Sequence, residues 1–482
     1  MNEEKAGPEI ATLDDVRELF LGLKPQARKL AGPIFYVTND ANHGAGPETF
    51  LPHYGIVCID DNPLLRRMEE AGLMVFSLER ELGEKNVVFR SSEELLGHEK
   101  AQAYLEAHRP EGLLFFKTSS AIEETCQKKG WRLLAAPTKL GRYFENKLRF
   151  QEVLERLNIP SPPGEQVDIQ PELYEELSRR YGRFVVQFAK GFGGNRTFLI
   201  EEESSFRSLA EENPGRKVRI SRYMEGHTLT INACVTRHGV AIADLFYQIT
   251  GLPECTAYRL GACGNDWLYP LPDETRRRAF AHTRAVGKYM AEAGYRGIFG
   301  LDFVAENRTG EVFTIENNAR LIASIPLFTR LQVERGEIPL LALHILELMG
   351  MEYELDIEQV NEKLQQRKKG AQLILHNLEG APAEVQGDLP SGVYTLNPRA
   401  GLKPAGGELT FRRPGYSLED CHSDEEFLIL AADKGRVVNP NIECARFQAR
   451  RPLLRHDSHL AGWAQEVARS IYKALALRPI GH

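Results

Sequence analysis

Asp302, Glu316, Asn318 and Arg320 are the residues whose types and spacing most directly permit chemistry. Gly300-Leu301-Asp302-Phe303-Val304 and Phe313-Thr314-Ile315-Glu316-Asn317-Asn318-Ala319-Arg320 flank a turn at Glu306-Asn307-Arg308-Thr309-Gly310, which reads as a β-hairpin. Pivoting near Thr309, the hairpin sets Asp302 opposite Glu316, side chains on one face. Strand side chains alternate with period two, so Asn318 shares that face with Glu316, and Arg320 continues the row while the chain stays extended. Like charges facing each other in a half-buried sheet are destabilising unless something compensates them. A divalent cation compensates them, and an all-oxygen set of Asp, Glu and Asn suits Mg²⁺. Arg320 beside the metal is able to hold a carboxylate bidentately. A surface hairpin with solvated acids, or an Asp–Arg structural pair, uses the same residue types. Leu301, Phe303, Phe313 and Ile315 are apolar, however, and argue against a freely solvated strand.

A second constellation is Lys190-Gly191-Phe192-Gly193-Gly194-Asn195-Arg196-Thr197, set between two apolar strands. Gly191, Gly193 and Gly194 remove side chains that would keep phosphate oxygens from backbone N–H groups, and Lys190 and Arg196 supply positive charge. The strand–loop–strand setting excludes a P-loop, whose lysine precedes a helix. A plain glycine hairpin with incidental basic residues fits the segment equally well.

The surrounding elements must position these groups. Thr12 starts an amphipathic helix running to about Leu23, in an N-terminal stretch that looks peripheral. Residues 33–38, 55–60, 112–116 and 132–137 read as strands with helices between them, the signature of a parallel α/β sheet. The Asn/Gly-rich loop 39–46 then lies at a strand's carboxyl end, where such sheets bind ligands. It lacks a G-x-G-x-x-G fingerprint. Residues 146–157 form an amphipathic helix stopped by Asn158-Ile159-Pro160-Ser161-Pro162-Pro163. Residues 275–294 and 357–368 are further helices, and a β-rich tail closes with a helix from about 460 to 475.

With 482 residues the chain exceeds one ordinary core. Hydrophobic residues at 42% and charged residues at 26% describe a globular protein, and a net charge of −7 gives no global attraction to nucleic acid or anionic membrane. An anionic ligand therefore needs a local basic site. Seven dispersed cysteines argue against a disulfide framework and a structural zinc site. The N-terminus lacks a signal-peptide layout and no apolar run reaches membrane-spanning length, so cytoplasmic localisation is expected.

In this order the segments resemble the ATP-grasp superfamily over about residues 137–330. The sequence shows an α/β region, a Lys-bearing helix with a Pro-rich stop, a strand–Gly-loop–strand, Arg222-Tyr223-Met224-Glu225-Gly226, Gly300-Leu301-Asp302-Phe303 and Glu316-Asn317-Asn318-Ala319-Arg320. The resemblance implies an α/β (α+β) fold: an N-terminal extension (1–30), a pre-ATP-grasp α/β domain (31–137), an ATP-grasp domain (138–350) with a small lid (183–226), and a C-terminal β-rich domain (351–482). It implies ATP and two Mg²⁺ ions as cofactors, Mn²⁺ being an alternative metal. Asp302, Glu316 and Asn318 match the metal ligands. Lys147, Gln187 and the loop with Lys190, Gly191, Gly193 and Gly194 match the phosphate site, although Gln187 stands where many relatives carry a lysine. Ser221, Arg222, Tyr223 and Met224 match the adenine hinge, and Glu225 the ribose contact. Arg320, Lys190 and Arg259 are the candidate catalytic residues, with Arg259 in an irregular insert at 249–267. The implied activity is an ADP-forming ligase that makes an acyl phosphate and condenses it with an amine, joining amino acids or short peptides. Alternatives are a biotin-carboxylase-like enzyme using bicarbonate and a nucleotide-binding regulator. The expected partners are small carboxylates and amines, without nucleic acid or membrane, and a homodimer.

Overall fold

The computed structural model describes residues 7–25, 27–88, 90–189, 191, 196–398, 407–456 and 458–481. Thr12 begins helix Leu13–Leu21 with a reciprocal cap: its hydroxyl accepts from Asp15 N–H and the Asp15 carboxylate accepts from Thr12 N–H. Left-handed Gly22 (φ 72°) ends the helix just before the expected boundary. The helix is integral rather than peripheral, because Leu13, Val16, Leu19 and Phe20 are all buried.

Four parallel strands follow, in the spatial order Met74–Ser77, Tyr54–Cys58, Ile34–Thr38, Gly112–Phe115. Ile34–Thr38 and Tyr54–Cys58 are buried at every residue, as strands covered on both faces must be. The expected strand at 132–137 is reduced to one bridge, Leu133 to Leu113, and Met74–Ser77 supplies the edge instead. That edge strand is short and only partly buried, so it carries little hydrophobic pattern.

Asn146 caps helix Lys147–Arg156 by accepting from the N–H groups of Leu148 and Arg149. Beyond it lies a four-stranded antiparallel sheet ordered Gly164–Asp168, Lys217–Arg222, Phe184–Phe188, Thr197–Ile200. One face packs Phe184, Val186, Phe188, Val218 and Ile220 into a core with Leu177 and Phe206 from helices Tyr174–Tyr181 and Glu203–Glu212. Period two therefore sends Val185, Gln187, Arg219 and Ser221 to the other face.

The largest sheet has ten strands. Its order is Val312–Asn318, Gly297–Glu306, Gly226–Thr236, Gly239–Thr250, Ala262–Asp266, Ala371–His376, Glu443–Ala449, Phe427–Ala431, Gly392–Pro398, Gly407–Arg413. Ala262–Asp266 pairs with Ala371–His376, so the C-terminal strands extend the same sheet. Helices Asp273–Glu292 and Leu340–Met349 pack against its central strands. Helix Gly462–Leu475 buries Ala464, Val467, Ala468, Ile471 and Leu475. The architecture is mixed α/β, and no helix among the described residues is long and apolar enough to cross a membrane.

Candidate functional site

The acidic hairpin has the facing pair that its sequence predicts. Asp302 pairs with Glu316 and Gly300 with Asn318, whereas nearer the turn Phe303 pairs with Thr314. The register thus slips by one between Asp302 and Phe303, with Ile315 as the extra residue of a β-bulge. On the neighbouring strand Thr230 is the partner of Asp302. Its hydroxyl lies 2.6 Å from Asp302 Oδ1 and also meets the Gln248 carboxamide. Asn318 Nδ2 donates to Asp302 Oδ2 at 2.9 Å, and Arg320 Nη2 donates to Asn318 Oδ1 at 2.8 Å.

The two acids are treated differently. Glu316 Oε2 is 2.9 Å from Lys147 Nζ, which also donates to Thr197 Oγ1 at 3.1 Å. Lys147 is buried in the first turn of its helix. Asp302 instead is held by the hydroxyl of Thr230 and the amide of Asn318. Burial, reinforced by the charge of Glu316, pushes its carboxyl up to about 6, against the hydrogen bonds from Thr230 and Asn318. Arg320 sits 2.8 Å (Nε) from Glu145 Oε1, and Glu145 also pairs with Lys117 at 2.9 Å. The Arg320 guanidinium lies over the Phe116 ring at 5.1 Å, and His43 stacks on the same ring at 4.6 Å.

A raised carboxyl opposes folding at neutral pH. Its penalty is absent below the unfolded value of 3.8, and grows as pH rises through the folded value of about 6. Asp302→Asn removes that penalty, so in chelator the variant should gain stability relative to wild type as pH goes from 4 to 7, by about 2 kcal/mol. Paired urea titrations at the two pH values check this. A pH-independent difference would show that Asp302 is not strained.

These groups form the floor of one cavity of about 1170 Å³. Lys147, Gln187, Ser221, Arg222, Tyr223, Met224, Arg259, Asp302, Glu316, Asn318 and Arg320 all line it. Val185, Leu199, Val304 and Ile315 are apolar lining residues near Met224, which packs against Val304 and Phe313. Glu225 is not among the lining residues; it is exposed, and its carboxylate is paired with Arg183. Arg259 is 66% exposed and lies 2.5 Å from Glu201, just past lid strand Thr197–Ile200, so it ties the insert to the lid. Gly191 makes room for the returning chain, since a Cβ there would lie 2.6 Å from Arg196 Cβ. Lys190, Gly193 and Gly194 lie outside the described residues.

Sequence reasoning missed Glu145, Thr230 and Gln248, which stand in no motif. It noticed the 39–46 loop, and Asn39, Asp40, Asn42 and His43 from that loop do line the cavity. The metal candidates fit a hard cation chemically: two carboxylates and a carboxamide, with the remaining positions open to phosphate oxygens and water. Among the described residues no group of three or more His, Cys, Asp or Glu side chains converges.

Residues 144–324 match a family model described as an ATP-grasp domain. A 241-residue stretch is 21% identical to the carbamoyl phosphate synthase large chain of Clostridium acetobutylicum, covering 47% of this chain and 21% of that protein. A stretch of 242 residues is 19% identical to the arginine-specific large chain of Halalkalibacterium halodurans, covering 48% and 22%. The chain therefore spans about a fifth of the length of these relatives. In fold it is similar to the biotin carboxylase domain of Hydrogenobacter thermophilus 2-oxoglutarate carboxylase, with a TM-score of 0.56, 16% identity, and 94% and 92% of the two chains covered. Campylobacter jejuni biotin carboxylase gives 0.57, 14%, 93% and 92%. N5-carboxyaminoimidazole synthase from Aspergillus clavatus gives 0.52, 11%, 89% and 95%. The chain thus carries an ATP-grasp domain at residues 144–324, within a fold that the biotin carboxylase and carboxyaminoimidazole synthase structures share.

Proposed function

We propose that the chain is an ADP-forming ligase that activates a carboxylate as an acyl phosphate and condenses it with an amine, joining amino acids or short peptides. The observation that carries this reading is the Lys147–Glu316 pair beside the strained Asp302 on the floor of a large cavity. Asp302, Glu316 and Asn318 would hold Mg²⁺, which when bound neutralises charge on the phosphates of ATP. Lys147, beside Glu316 and Thr197 at the cavity wall, would present its ammonium to phosphate oxygens. The apolar lining residues Met224, Val185, Leu199 and Val304 would accept the flat adenine. Arg320, anchored by Glu145 and Asn318, orients the substrate carboxylate. A carboxylate oxygen attacks the γ-phosphorus and ADP leaves; the amine then attacks the acyl carbon and inorganic phosphate leaves. The protein's part is positioning and charge neutralisation, so no nucleophilic Ser or Cys is needed. The lid sheet excludes water from the acyl phosphate.

Bicarbonate is the second reading for the carboxylate, favoured by a fold likeness to biotin carboxylase domains that extends over 94% of the chain. A homodimer is the proposed assembly. The test supplies Mg-ATP with pools of amino acids and dipeptides, or with bicarbonate, and follows ADP, phosphate and new masses. Amine-dependent ADP release with a condensed product is expected. ADP release dependent on bicarbonate alone would favour the second reading, and no turnover in any arm would sink both.

A further inference from the structure

Gln187 occupies the middle of a row across the lid sheet. Its strand partner on one side is Thr197 and on the other Arg219, so the three side chains share the face turned from the lid core. At the Thr197 end stands Lys147, whose ammonium donates to the Thr197 hydroxyl. At the other end the Arg219 guanidinium is 1% exposed. A buried cation normally has a carboxylate, because losing hydration without a partner is costly. Among the described residues Arg219 has none in ion-pair contact. Glu155 acts on its charge without contact, its carboxylate accepting from the Gln151 amide at 3.1 Å.

The contacts of Arg219 point in one direction. Nη1 lies 3.5 Å from Gln187 Oε1 and Nη2 lies 3.3 Å from the Pro162 carbonyl oxygen, both long for hydrogen bonds, while Nε has no hydrogen-bond partner among the described residues. Gln187 and Pro162 both line the cavity. The guanidinium is thus held one layer behind the wall, its donors largely unspent and its charge unmatched. By drawing Oε1 toward itself it also leaves the Gln187 amide N–H₂ for the cavity.

We infer that Arg219 is a positioning residue for a polyphosphate: it orients the Gln187 amide toward a phosphate oxygen and supplies the charge that Gln187 lacks. Lys147 and Arg219 then bracket the phosphate chain from opposite ends of the Thr197–Gln187–Arg219 row. This inference rests on the cavity being a nucleotide site, and on nothing about the ligase chemistry.

The experiment measures Kd for ATP, ADP and adenosine by calorimetry in wild type, Arg219→Gln, Arg219→Lys, Gln187→Glu and the double variant Gln187→Lys/Arg219→Gln. Arg219→Gln should weaken ATP and ADP by about 10- to 50-fold while adenosine changes less than about twofold, since only the phosphates sense the lost charge. The double variant moves the cation to the wall and should recover most of that loss. Gln187→Glu gives the buried guanidinium its missing partner, so the ligand-free protein should melt higher yet bind ATP more weakly. Opposite signs in those two readouts are not expected of a merely structural arginine. Should Arg219→Gln fail to fold, Gln187→Glu and Arg219→Lys decide, the latter keeping ATP within about tenfold of wild type because it keeps the charge. Equal losses for adenosine and ATP, or ATP binding unaffected by Gln187→Glu, would overturn the inference. A wild type that binds no nucleotide would instead overturn the nucleotide reading of the cavity.

Discussion

Glu316→Gln should cut ATP turnover by about 10²- to 10³-fold or more while leaving the protein folded. Glutamine has the size of glutamate and still accepts a hydrogen bond from Lys147, 2.9 Å away in the native pair. What disappears is the anionic oxygen proposed, with Asp302, to hold the divalent cation. Removing one of two facing like charges also relieves the strain on Asp302, so metal-free stability should hold within about 1 kcal/mol. Adenosine binding should not change, because the apolar lining residues near Met224 are kept. Initial rates of ADP release, set beside a melting curve and adenosine titration, test all three points. Activity within tenfold of wild type would refute the metal-ligand role of Glu316.

Lys147→Met should have the opposite effect on the resting protein. Lys147 is 5% exposed and, among the described residues, is the side-chain cation in ion-pair contact with Glu316. Its loss leaves Glu316 and the buried Asp302 facing each other uncompensated. Breaking a buried pair costs about 3–5 kcal/mol, and partial exposure of the Glu316 side chain at 22% reduces the expectation to about 1–3 kcal/mol. The distinguishing measurement is the rise in melting temperature on adding Mg²⁺. It should be larger in the variant than in wild type, because in wild type Lys147 already occupies one acid. ATP affinity should also fall, by about tenfold, through loss of a phosphate cation. Equal Mg²⁺ responses in both proteins would mean that the two acids do not share a cation.

Both predictions depend on features of unequal legibility. The facing of Asp302 and Glu316 was readable because a hairpin pivot and period-two alternation are local rules. The bulge at Ile315 was not: it inserts one residue between the turn and the site, and nothing in Phe313-Thr314-Ile315-Glu316 announces it. The cavity-lining loop at 39–46 was legible as a strand-end loop, since a short apolar strand running into Asn and Gly residues has few other folds. Met74–Ser77 was missed as a strand because an edge needs only one buried face.

Glu225 shows where local reasoning stops. Its place after the hinge suggests a contact with the ligand, yet its carboxylate is paired with Arg183, whose strand is brought alongside by the Phe184–Arg222 pairing. Arg259 likewise faces Glu201 of the lid, a partner that no spacing within the insert reveals. Electrostatic partnership depends on distances of a few ångströms, and those are set by how separate sheets pack.

The sequence alone determined the two acids on one face, the amphipathic lysine-bearing helix and the alternation that assembles a mixed α/β fold. Each follows from residue type and period within a single element. Only the tertiary structure decided which cation rests on which acid: Lys147 on Glu316, Arg320 on Glu145, and Arg219 behind Gln187 with no acid in contact among the described residues. Those choices arise where the helix at 147–156, the lid sheet and the ten-stranded sheet meet. There the cost of burying a charge depends on every neighbour at once.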